Sequence, residues 1–200
     1  MLHRVPAPVR SVVELVLTVA IAIAIAVVAQ AYVVKPYKVP SESMENTLMP
    51  GDRVLVDRVT LRFRDPQRGE IVVFHPPSCP PAASEDDVCD TPIVSKRTGV
   101  SDQTYIKRVI GLPGETLFSR QGHVWVIPAG GGTAHELQEP YTKGPTSILG
   151  RIHVPADMYF MMGDNRGDSS DSRRWGPEPR SDMIGIARFR YWPLSRIGPL

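Results

Sequence analysis

A chain of 200 residues is long enough for one domain and an anchor, and for little more. Its formal charge of +2 gives no reason to expect a nucleic-acid partner, which calls for a clustered basic face. Twenty prolines and sixteen glycines exclude a helical bundle and point to short segments separated by turns.

The first element is apolar. From Leu15 to Val34 the run has no charge, and only Thr18 and Gln30 are clearly polar. As a helix it would extend about 30 Å, the thickness of the hydrocarbon core of a bilayer. The expected organisation is a short N-terminus at 1–11, a transmembrane anchor at 12–34 and a folded domain at 35–200. A cleavable secretory signal competes with this reading, because Ala29-Gln30-Ala31 is an A-x-A sequence after an apolar core. The run continues past it through Val34, longer than a secretory h-region, which favours a retained anchor. Arg4 and Arg10 precede the run and Lys35 and Lys38 follow it, so basic residues alone set no orientation.

Beyond the anchor, apolar alternation between turn residues predicts strands at 53–57, 70–74, 105–110, 123–127, 159–162 and 187–192. Few segments keep a helical period. A proline-rich loop is expected at 76–100, and a glycine-rich surface excursion at 129–150. The predicted fold is all-β, a domain of coiled antiparallel sheet on a single N-terminal transmembrane helix. Cys79 and Cys89 both lie in the proline-rich loop, without the histidine spacing of a zinc site. In an oxidising compartment they would close a disulfide; otherwise they are two free thiols.

Three later segments carry candidate chemistry. Pro40-Ser41-Glu42-Ser43-Met44-Glu45-Asn46-Thr47-Leu48 begins six residues after the apolar run, and Ser43 is the leading nucleophile. Taken alone, Ser41 and Ser43 are also ordinary turn residues. None of His3, His75, His123, His135 and His153 sits in a segment resembling a serine-protease histidine motif. Lysine can give up its proton and arginine cannot, and only five of the 23 basic residues are lysines. One of these, Lys107, lies in the strand Tyr105-Ile106-Lys107-Arg108-Val109-Ile110, sharing a face with Tyr105 and Val109. Most strand lysines reach out to solvent, so the pattern alone does not make it a base. The strand leads into Gly111-Leu112-Pro113-Gly114, which lacks the ending of a phosphate-binding loop. The third segment is Gly163-Asp164-Asn165-Arg166-Gly167-Asp168-Ser169-Ser170-Asp171-Ser172-Arg173, whose aspartates do not follow calcium-loop spacing.

In this order the three segments closely resemble the boxes of bacterial type I signal peptidases, serine proteases that remove signal peptides from exported proteins. The similarity continues through Gly69-Glu70-Ile71-Val72-Val73-Phe74 and closes at Tyr191-Trp192-Pro193-Leu194. It implies a Ser43–Lys107 dyad, with the Ser43 backbone N–H and the Ser41 hydroxyl as oxyanion donors and Ser169 orienting the lysine. Arg108, Asp164, Arg166, Asp171 and Arg173 match the charged scaffold around that site. Asn46 departs from the family pattern, standing where proline is usual. The substrate would lie extended beside the serine and lysine strands, with Tyr37, Val39, Met44, Leu48 and Ile106 as candidates for its shallow pockets. Cleavage is expected after an A-x-A site.

Expected partners are precursors bearing signal peptides and the lipid bilayer; the protein is expected to be a monomer that needs no cofactor or metal. The expected location is the plasma membrane, single-pass, with the N-terminus cytoplasmic and the catalytic domain outside. Two other readings stand beside this one: a Ser-Lys autoprotease like the SOS repressors, and a membrane-tethered β-domain that only binds.

Overall fold

The computed structural model describes residues 7–75, 104–148 and 150–200, and within its first helix the side chains of 10–25. That helix, α1, runs Ala7–Tyr32. It begins before the expected 12, and it ends before the expected 34 because Val34 already belongs to a strand. Its described large apolar side chains, among them Val12, Leu15, Val16, Val19, Ile21 and Ile25, are all exposed. Among the described residues no helix is long and apolar enough to cross a membrane.

Two antiparallel sheets follow. The larger contains β1 (Val34–Lys38), β2 (Arg53–Asp57), β3 (Ile71–Phe74), β4 (Tyr105–Gly111), β9 (Met158–Met162), β10 (Glu178–Pro179), β11 (Met183–Trp192) and β12 (Gly198–Pro199). Its order is β1-β2-β11-β3-β4-β9-β10, with β12 paired to β11. The smaller sheet is built from β5 (Thr116–Arg120), β6 (His123–Ile127), β7 (His135–Glu136) and β8 (Ile152–His153), in the order β7-β6-β5-β8.

The curl of the large sheet has local causes. Strand β11 changes register against β2 between Ala187 and Phe189 and again between Arg190 and Trp192. A further shift lies between Met183 and Gly185 against β3. Such irregularities bend a strand and strengthen its twist. Strand β3 is buried along its whole length, which explains its unbroken apolar run. At Gly111 the chain passes from the large sheet to the small one. A Cβ there would lie 2.5 Å from Leu117 Cδ1, so only glycine permits this approach.

The segment at 129–150 is more than a surface excursion. After β7 it buries Leu137, Thr146 and Ile148, and it returns to touch the serine turn. Cys79 and Cys89 lie outside the described residues.

Candidate active site

The serine turn is built by burial on both sides of Ser43. Val39, Met44 and Leu48 are sunk in a core cluster with Val54, Val56, Ile71 and Ile106. Backbone bonds from the Val39 amide to Asp52 O and from the Gly51 amide to Val39 O close the loop around them. Between these anchors Glu42–Met44 forms one 3-10 turn, which leaves Ser43 only 7 % exposed. Three of the expected pocket residues, Val39, Met44 and Leu48, are therefore core residues and not groove lining.

Lys107 approaches from β4, opposite Val72 of β3. Its Nζ donates to Ser43 Oγ at 2.5 Å, and Ser41 Oγ stands 3.2 Å from the same oxygen. The lysine is 4 % exposed, with its ammonium position 5.8 Å from the Tyr105 ring centroid. Burial, which penalises the charged form, brings its pKa down from 10.5 to about 8, although Asp171 opposes the shift. That displacement corresponds to a bias of roughly 3 kcal/mol against the ammonium.

The third segment supports both groups. Asn165 gives its backbone N–H to Ser43 O at 3.1 Å and its side-chain amide to Glu42 O at 3.2 Å. Arg108 grips Asp164 with two bonds of 2.8 and 2.6 Å, and Thr47 Oγ1 donates to the same carboxylate at 2.5 Å. Arg173 holds Asp171 in the same two-pronged way, at 2.8 Å each. Burial alone would raise the pKa of Asp171. Arg173, the Gly163 amide and the Ser169 hydroxyl outweigh it and hold the carboxyl below its ordinary value. Arg166 reaches into the small-sheet segment and pairs with Glu139 at 2.6 Å. Asp164 and Asp171 are thus neutralised by arginines. Among the described residues no group of three or more acidic, histidine or cysteine side chains could hold a metal.

The Ser169 hydroxyl donates to Asp171 Oδ2 at 2.7 Å. The proton of this serine therefore goes to the carboxylate.

A cleft of about 560 Å³ opens on the dyad, lined by Pro40, Ser41, Glu42 and Ser43 on one side and by Thr104, Tyr105, Ile106 and Lys107 on another. Asp168 and Ser170 complete its wall. Of the expected pocket residues only Ile106 lines it. Tyr37 faces a separate, more polar cavity with Lys35, Arg58 and His75. Tyr105 and Pro40 could have been chosen instead, since both flank the serine and lysine positions in the sequence. None of the described histidines lines the cleft: His123 pairs with Glu136 at 3.2 Å on the small sheet, and His153 lies 3.4 Å from Thr116.

A family model described as signal peptidase, peptidase S26, matches residues 12–192. The chain belongs to the S26 signal peptidase family. The probable signal peptidase I-1 of Synechocystis is 36 % identical over 98 % of this chain and 90 % of its own length. The signal peptidase I of Leptolyngbya laminosa is 37 % identical over 86 % of this chain and 75 % of its own. A signal peptidase I structure from Enterococcus faecalis, 28 % identical, covers 62 % of this chain and 97 % of that one, with a TM-score of 0.40. As an S26 member the protein is a serine peptidase, a hydrolase that cleaves signal peptides.

Proposed function

We propose that this signal peptidase works through a Ser43–Lys107 dyad and cuts its precursors after an A-x-A site. The observation that carries the reading is the 2.5 Å bond between a buried lysine and a buried serine at the head of the cleft. Neutral Lys107 takes the Ser43 proton as Oγ forms its bond to the scissile carbonyl carbon. The oxyanion is met by the Ser43 backbone N–H and the Ser41 hydroxyl. As the tetrahedral species collapses, the C–N bond breaks and the lysine returns the proton to the departing amine. The same lysine then deprotonates the water that releases the acyl group, leaving the enzyme as it began. In this reading Ser169, whose hydroxyl donates to Asp171, helps to orient the lysine.

The chemistry is tested with the detergent-solubilised full chain and two precursors, one with Ala-x-Ala before the cut and one with Phe in place of either alanine. Cleavage of the alanine precursor should disappear with Ser43→Ala, and the Phe precursor should be turned over at least tenfold more slowly. Full activity of Ser43→Ala would overturn the dyad, and equal turnover of the two precursors would overturn the small-residue site.

The anchor is part of the same reading. Helix α1 has 26 residues and would be about 39 Å long, and from Leu15 to its last residue, Tyr32, it carries no charge. Ser43 follows its last residue, Tyr32, by a stretch that reaches at most about 40 Å even when extended. A single-pass anchor with the catalytic domain outside would keep the cleft near the membrane surface, where cleavage sites of exported precursors emerge. Protease added to intact spheroplasts should digest the domain beyond Lys35. Complete protection until lysis would reverse the orientation.

A further inference from the structure

The serine turn is held from two directions. On one side stands the loop at 163–166, through the two bonds of Asn165 to Ser43 O and Glu42 O. On the other stands the segment at 139–146, which lies between β7 and β8 of the small sheet. There the Asn46 amide donates to Tyr141 O at 3.0 Å and comes within 3.5 Å of Thr142 O. The neighbouring Glu45 receives Lys143 Nζ at 2.5 Å. The two props are also tied to each other, because the Lys143 amide donates to Asp164 O at 2.7 Å and the Arg166 amide to Lys143 O at 2.9 Å. Tyr141 lies against the Arg108 guanidinium, 3.9 Å from ring centroid to Cζ. Serine turn, aspartate loop and small-sheet segment thus form a closed triangle.

Asn46 joins the serine turn to the small-sheet segment, three residues after Ser43. Its φ is +91°, a conformation that glycine adopts freely and that asparagine tolerates better than most residues. Proline, fixed near −65°, cannot take it. A residue needed only to make the turn could be glycine. The side-chain amide does something further, since it fixes the turn laterally three residues from the attacking oxygen. Reaction rates depend steeply on such placement, and an error of about 1 Å costs on the order of a hundredfold.

We propose that Asn46 is a positioning residue for Ser43, and that through its bond to Tyr141 the small-sheet segment sets the aim of the nucleophile. This rests on Ser43 being the nucleophile. It assigns the small sheet a part in catalysis although none of its strands carries a reacting group.

Two variants of the full-length enzyme, Asn46→Gly and Asn46→Asp, separate the amide from the backbone. Glycine keeps the turn and removes the amide, whereas aspartate puts an anion against two carbonyl oxygens. With an Ala-x-Ala precursor, Asn46→Gly should lower kcat about fivefold and Asn46→Asp about tenfold or more. KM should stay within about twofold, because the cleft walls are untouched, and the midpoint of the pH limb set by Lys107 should not move. A purely structural role would leave kcat per folded molecule intact and lower only Tm. Wild-type kcat in Asn46→Gly would overturn the proposal, as would losses that vanish when rates are referred to folded enzyme. Retained activity in Ser43→Ala would instead remove the nucleophile on which it rests, so the two failures are distinguishable.

Discussion

Lys107→Arg should reduce turnover to the level of Ser43→Ala, a loss of about 10⁴-fold or more. Arginine keeps a positive charge close to Ser43 but cannot accept a proton near neutral pH. The native enzyme should become more active as pH rises, since only the unprotonated lysine can serve as base. With a pKa of about 8, close to a tenth of the enzyme is competent at pH 7 and nearly all of it above pH 9.5. The value of kcat/KM should therefore climb about tenfold across that range to a plateau, in a pH–rate series at precursor concentrations well below KM. A flat profile, or an active arginine variant, would send the search for the base elsewhere.

The same burial has a thermodynamic consequence. The lysine pKa is lower in the fold than in the unfolded chain, so between about pH 8 and 10.5 the unfolded state binds more protons and stability rises with pH. Below pH 8 the whole penalty is present, up to roughly 3 kcal/mol. Lys107→Met removes the charge and keeps much of the volume. It should be inactive yet more stable than the native enzyme at pH 7, with the difference shrinking as pH rises from about 8 to 10.5. Thermal melts at pH 7 would show this, and a lower Tm for the methionine variant would contradict it.

Gly163→Ala should disable the enzyme by a different route. A Cβ at this position would lie 2.4 Å from Ser43 O, 2.3 Å from Ser169 Oγ and 2.6 Å from Ser169 Cβ. Ser169 cannot simply rotate away, because its own Cβ is too close and its hydroxyl is held by Asp171. The backbone of Ser43 would have to shift as well, carrying the nucleophile away from Lys107. We expect at least a hundredfold loss of kcat and a destabilisation on the order of 2 kcal/mol, the ordinary cost of overpacking. Turnover and chemical denaturation of the purified variant would check both, and near-native activity would mean that the loop yields without moving Ser43.

Gly163 also illustrates where sequence reasoning ends. Its place at the head of the aspartate segment was visible in the chain, but the reason for glycine is a contact with a carbonyl 120 positions earlier. Patterns confined to a few neighbouring residues were legible. Strands at 53–57 and 123–127 follow from alternation bounded by turn residues, and β2 and β6 occupy those positions. The serine, lysine and aspartate segments stood out by their resemblance to a family. Strand β11 extends upstream of its expected start, through Met183 to Ile186, because there it pairs with β3.

What the chain by itself determined was therefore the β-rich class, the apolar N-terminal segment and the segments whose resemblance places the chain in its family. Tertiary structure decided which apolar side chains face the cleft. Val39, Met44, Leu48 and Ile106 are equally suited to a pocket or a core, since apolarity rewards removal from water and does not say against what. The packing of the serine turn on β2 and β3 put the first three inside and left Ile106 on the cleft wall. Tertiary structure also brought the polar, glycine-rich stretch at 129–150 back to the site. The bonds of Asn46, Glu139 and Lys143 join positions 27 to 98 residues apart, and no local periodicity encodes such pairings.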